Sequence, residues 1–167
     1  MASARKKASA DFPKPHHDHR SCATEALRAA EEMCLTRKSR LTDIRKQVLK
    51  TVWSSHTPIG AYDILSRLNA RGGKAAPMAV YRALDFLMEN GLVHRIASLN
   101  AFVGCAHPGE HHAGQFLICR DCGNVAELDN ADVKRALAKA VTARGFTIDS
   151  EVIEISGRCP HCREHTP

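Results

Sequence analysis

Two Cys-x-x-Cys pairs, Cys119 with Cys122 and Cys159 with Cys162, constrain this chain more than any other feature. Each pair chelates a tetrahedral metal from a tight turn, and two pairs complete a four-thiolate shell. Such a shell suits zinc, which brings no redox chemistry to damage it. The pairs are 36 residues apart, more than a compact ribbon loop holds. The metal is therefore expected to clamp a hairpin to the C-terminal tail across an intervening helix and strand. Gly123 and Gly157 supply turn flexibility beside the pairs. A thioredoxin-like redox pair, or two unrelated thiol pairs, are the competing readings. The first residues, Met1 to Ala10, carry Arg5, Lys6 and Lys7 with no apolar stretch behind them, so no signal peptide is expected and the expected location is the cytoplasm. There, 7 cysteines and 10 histidines argue for metal rather than for disulfides.

A second set of donors lies between the two halves of the chain: His94, Cys105, His107, His111, His112 and Glu127. A mixed nitrogen, sulfur and oxygen shell holds zinc less permanently than four thiolates, as a sensor requires. With His94 on one half and Glu127 on the other, metal there fixes their relative orientation. The plainer reading of the histidines is a solvated loop. Residues 1–20 mix Lys, Ser and Ala with Pro13 and Pro15, lack apolar periodicity and read as a disordered tail. His16, His17 and His19 make at most a weak scavenging tract within it. Cys22 and Cys34 have no close Cys or His partner in the sequence and are expected to pack.

Charge divides the chain. Residues 1–95 hold seventeen Lys and Arg against nine Asp and Glu, while residues 96–167 hold seven against nine, within a net +6. A basic half joined to a mildly acidic one points the first toward a polyanion. Aromatics are only 5%, so the core must be aliphatic. Apolar residues recur at helical spacing over Cys22–Thr36, from Thr42 to about Ser55, over residues 61–71, and from Pro77 to Asn90. Short apolar strands at residues 92–96 and 101–103 then form a hairpin. The order is that of a winged helix-turn-helix, whose last helix offers Tyr81 and Arg82 to the major groove. Tyr62 can pack on sugar or a thymine methyl; Arg40, Arg45 and Lys74 can follow phosphates. The second half is expected to hold strands at 115–119 and 124–128, a helix at 129–144, and an alternating strand over Phe146–Ile155. It has few large apolar residues and so calls for a partner surface. The fold class is α+β. A disordered tail (1–20) precedes a winged-helix DNA-binding domain (21–97), a hinge (98–104) and a small zinc-binding α/β dimerisation domain (105–167). No His-Glu-x-x-His helix, Gly-x-Ser-x-Gly elbow or phosphate-cradling loop is present, and an enzyme is not expected.

Several separated segments in the right order carry a resemblance. Arg40 to Thr42, Ala61 to Leu65, Val80 to Leu87 and Gly91 to His94, followed by both cysteine pairs, resemble the ferric uptake regulator family over about residues 22–163. Tyr81 to Leu87, together with Cys105, is most similar to its zinc uptake regulator branch. The resemblance implies a homodimer with structural zinc on Cys119, Cys122, Cys159 and Cys162. It implies a regulatory zinc on His94, Cys105, His112 and Glu127, hence two zinc ions per monomer, and DNA contact through Tyr62 and Arg82. It further implies that the zinc-loaded dimer binds double-stranded DNA at an AT-rich inverted repeat and represses zinc-uptake genes. An iron- or manganese-responsive relative and a zinc-binding storage or interaction protein are the alternatives. A thiolate at Cys105 favours zinc over harder ions. The chain departs from the family's usual pattern at Ala79 and Asp43, which bear on the operator rather than on the fold.

Overall fold

The computed structural model describes Phe12, residues 19–109 and residues 114–164. Four helices open the chain. Helix α1 spans His19–Thr36 and starts three residues earlier than its apolar spacing announces; Ala26, Ala30 and Cys34 face inward at four-residue steps. Helix α2 is Asp43–Val52 and buries Val48, Leu49 and Val52. Thr42 stands at its N-cap without a side-chain capping bond, while Asp43 in the first turn suits the positive end of the helix dipole. Helix α3 (Ala61–Ala70) buries Ile64 and Leu68. Helix α4 (Pro77–Glu89) starts on a proline, whose missing N–H costs nothing there, and buries Val80, Ala83, Leu84 and Leu87. These faces, with Ile59, Leu92 and Val93, form one aliphatic core.

Strands β1 (Val93–Ile96) and β2 (Ala101–Gly104) pair antiparallel as a wing, with Val93 opposite Gly104. A single 3₁₀ turn at Ala97–Leu99 and a left-handed Asn100 join them. Residues 98–104, expected as a hinge, are thus the tip and second strand of the wing. Phe102 is buried and exchanges two main-chain bonds with Ile59, so this segment belongs to the first half, and the connection onward begins at Cys105. Gly104 is required by a close approach: a Cβ there would lie 2.1 Å from the Trp53 ring.

The second half is a three-stranded sheet in the order β4-β3-β5. Strand β3 (Gly114–Cys119) pairs antiparallel with β4 (Val125–Glu127) and parallel with β5 (Val152–Gly157). Helix α5 (Ala131–Thr142) makes the crossover; Asn130 caps it by accepting from the amides of Asp132 and Val133. A short helix α6 (Pro160–Glu164) follows β5. The expected strand over 146–155 forms only from Val152. Val152 pairs with Gly114, the first residue of β3, so among the described residues no strand lies opposite 146–151 to hold them extended. Helix α5 buries no residue, and Phe146, Ile148, Val152 and Ile155 are exposed.

The two halves meet in a small second core. Ile96 and Val103 of the wing pack with Phe116, Ile118 and Val125 of the sheet. Polar ties flank it. The Val125 amide donates to the His56 carbonyl at 3.0 Å, and the Thr57 hydroxyl donates to Asn124 at 3.1 Å. Glu154 of β5 accepts from the amides of Ala97 and Ser98 at 2.6 and 3.1 Å, capping the wing's 3₁₀ turn from the other half.

Candidate metal centres and nucleic-acid face

Cys119 ends β3, and the turn that follows brings Cys122 back beside it. The Gly123 amide donates to the Cys119 carbonyl at 3.0 Å, and Gly123 takes a φ of 73° that a side chain would resist. Cys159 and Cys162 leave the same end of the sheet on the neighbouring parallel strand β5, whose Gly157 lies opposite Cys119; Cys159 directly precedes α6 and Cys162 lies within it. All four sulfurs lie within 4.8 Å of one another, with Cys122 and Cys159 3.9 Å apart. Convergence of both pairs on one point is the arrangement of a metal shell rather than of a redox pair. The charges argue the same way. Burial works against ionising Cys119, but amide donors from Cys122, Cys159 and Asp121 outweigh it and bring its thiol down to about 6. Cys162 is pushed up to about 12, chiefly by its hydrogen bond with Cys159 and then by burial. One thiolate forms readily, and four do not coexist without a cation between them. A divalent cation such as zinc would supply that charge.

The second group is assembled across the junction. His94 stands on β1, Cys105 directly follows β2, and Glu127 ends β4; their donor atoms lie within 4.8 Å of one another. His94 Nε2 is 3.3 Å from Glu127 Oε1, with side chains only 17% and 6% exposed. The other Glu127 oxygen accepts from the Ala106 amide at 3.1 Å, and the His94 ring sits 5.3 Å from that of Phe116 in the junction core. One imidazole, one thiol and one carboxylate, drawn from both halves, fit a borderline divalent ion. His112 and His111, expected near this point, lie outside the described residues, as do His16 and His17. His107 is half-buried and joins no group of three metal donors among the described residues.

Helix α4 presents Met78, Tyr81 and Arg82 outward, and Tyr62 at the start of α3 is 72% exposed. The α3–α4 turn is closed by its own contacts. Asn69 accepts from the Ala75 amide at 2.9 Å, and Gly73 approaches the Leu68 carbonyl so closely that a Cβ would lie 2.7 Å from its oxygen. Arg45 is half-buried and already engaged: its guanidinium lies 3.5 Å over the Phe86 ring and donates to the Arg40 carbonyl. Ala79 sits three residues inside α4, whose N-cap position is Ala76, so a hydroxyl at 79 is not the one that would cap this helix. The structure also gathers a set that sequence spacing hides: His19, Cys22 and His56 converge with donor atoms within 4.8 Å. Cys22 is assigned to packing on sequence alone, and His56 stands out only once α1 is docked.

Residues 36–156 match the model of the ferric uptake regulator family. The chain is 38% identical over 141 residues to the zinc uptake regulation protein of Escherichia coli K12, covering 84% of this chain and 82% of that one. Among solved structures, a zinc uptake regulator complexed with zinc and DNA superposes with a TM-score of 0.79 at 37% identity, covering 85% of this chain and 95% of that one. Holo XcZur superposes at 0.77 with 40% identity, covering 85% and 99%. Apo XcZur, at 41% identity and 84% and 97% coverage, superposes at only 0.51. The wing, the exposed helix α4, the converging cysteine pairs and these matches lead to one assignment: the chain belongs to the ferric uptake regulator family.

Proposed function

We propose that this protein is a zinc-responsive transcriptional repressor whose zinc-loaded homodimer binds an AT-rich inverted repeat and represses zinc-uptake genes in the cytoplasm. It is a regulator and not an enzyme. Among the described residues no helix is long and apolar enough to cross a membrane. The observation that carries the proposal is the His94, Cys105 and Glu127 group, which takes donors from both halves at their junction. Residues up to Gly104 form the DNA-binding domain, and those from Cys105 form the dimerisation domain. Zinc held by Cys119, Cys122, Cys159 and Cys162 fixes the sheet to its C-terminal segment. Zinc held by His94, Cys105 and Glu127, with His112 as fourth ligand, fixes the angle between the domains. These two ions per monomer serve different ends: a thiolate cage keeps its ion, whereas a mixed shell exchanges it.

The angle matters because a symmetric dimer must deliver two recognition helices to half-sites at a set spacing along the duplex. Tyr81 and Arg82 on α4 read the major groove, and Tyr62 adds an apolar contact at its edge. The overall superposition is in keeping with this mechanism, since at nearly equal identity and coverage the chain superposes better on the holo form of a relative than on its apo form. Cys105 favours zinc over iron or manganese, because thiolate is a soft ligand.

The test is fluorescence anisotropy of the purified protein on inverted-repeat DNA, comparing zinc, iron(II), manganese(II) and a chelator that empties only the weaker site. Zinc-dependent binding well above that to scrambled DNA is expected. Binding that follows iron or manganese instead assigns the protein to another metal, and no specific binding under any metal leaves a storage or interaction role.

A further inference from the structure

The donors at the start of α1 are used by neither centre described above. Cys22 continues the inward row of Ala26, Ala30 and Cys34 by one more four-residue step, so the helix directs it toward the domain body. His19 lies three residues earlier, on the same helical face. Their counterpart is His56, from the loop between α2 and α3. All three side chains are half-buried. The His19 and His56 rings meet edge-on with centroids 4.8 Å apart, and the Trp53 ring lies 6.5 Å from that of His56. The donor atoms lie within 4.8 Å of one another. Ligands around a tetrahedral zinc stand about 3.5 Å apart, given bonds of roughly 2.0–2.3 Å, so modest rotations of the side chains close the shell. Two imidazoles and a thiol leave one coordination position for water or another ligand.

The position of His56 gives the set a consequence. Its carbonyl accepts from Val125 of β4, and the next residue, Thr57, bonds Asn124, two positions after Cys122. The loop that carries His56 is therefore one of the contacts by which the DNA-binding half docks on the other. We propose that His19, Cys22 and His56 form a third zinc site, which ties the start of α1 to this loop and stiffens the docking contact when zinc is abundant. The site is independent of the regulatory centre and stands whether or not that centre controls DNA binding.

The experiment is equilibrium dialysis of the full-length protein against buffered zinc, with bound metal counted by elemental analysis, and a parallel cobalt(II) titration that reads thiolate-to-metal absorption. The Cys105→Ser protein serves as background, which keeps the regulatory centre out of the count. Cys22→Ser, His56→Ala and His19→Ala, each added to that background, are expected to lose one further zinc equivalent per chain. Cys22→Ser is also expected to lose one thiolate's share of the cobalt band. Hydrogen exchange at the Val125 amide is expected to slow with zinc in the background protein and to respond less in the His56→Ala protein. Equal zinc counts in the background protein and all three added variants, with an unchanged cobalt spectrum for Cys22→Ser, would overturn the proposal.

Discussion

At the scale of single residues, a few side chains set the balance at the junction. Cys105 is buried to 2% exposure directly after β2. Replacing it with serine keeps the volume and removes the soft ligand. Cys105→Ser is expected to weaken regulatory zinc binding by roughly 100-fold or more while the far-ultraviolet circular dichroism stays unchanged; competition with a chromophoric chelator measures the loss. Glu154 is the second test. Burial opposes its charge, but the Ser98 hydroxyl and the amides of Ala97 and Ser98 outweigh burial and hold its carboxyl below the usual value. A lowered folded value means that its stabilisation is complete above the unfolded pKa and is lost as pH falls through the folded one. Protection of the Ala97 and Ser98 amides from hydrogen exchange should fall across that acid range. Glu154→Gln should lower it by about tenfold at neutral pH, from the loss of charge-assisted bonds. Cys105 is singled out in the sequence by the cluster of donors around it and by the family resemblance, since a lone thiol reads as packing. Glu154 is not, because its partners are main-chain amides of a turn 57 residues away.

At the scale of elements, helix α4 has two faces with separable roles. Leu84 is 1% exposed in the main core, so Leu84→Ala should cost about 2–5 kcal/mol of stability by chemical denaturation. Arg82 points outward from the same helix. Arg82→Ala should leave stability nearly unchanged and cost about 1–3 kcal/mol of specific DNA binding, with sequence discrimination relaxed. Loss of stability without loss of DNA affinity in that variant would reverse the two faces. Helices α2 to α4 are readable from the sequence because their apolar residues recur at helical steps and Pro77 and Gly91 mark boundaries. The segment 146–151 misleads for the complementary reason. Its alternation of Phe146 and Ile148 looks like a strand, but alternation describes a surface that needs covering and says nothing of what covers it. Strand existence depends on a neighbour, and among the described residues the pairing with β3 runs from Val152 opposite Gly114 onward.

At the scale of the whole molecule, the second half leaves Phe146, Ile148, Val152 and Ile155 exposed and buries nothing from α5. A small domain with that much apolar surface is completed by a second copy. Ile155→Asp should shift the protein toward monomer in sedimentation velocity and abolish tight binding to the inverted repeat, while leaving the winged helix folded. The four-thiolate cage is legible from spacing alone; the junction group is half legible, since His94 and Glu127 are far apart in sequence and only the fold makes them neighbours. The His19, Cys22 and His56 set is invisible until α1 is docked. In the proposed mechanism, zinc at the junction sets the angle between the domains. Spin labels at the C-terminal ends of the two α4 helices of the dimer test it by pulsed electron resonance. A broad distance distribution is expected in the chelator-treated protein, collapsing to one narrow distance as the regulatory zinc binds, with no collapse in Cys105→Ser. A distribution indifferent to zinc, in a protein whose DNA binding still responds to zinc, would contradict it.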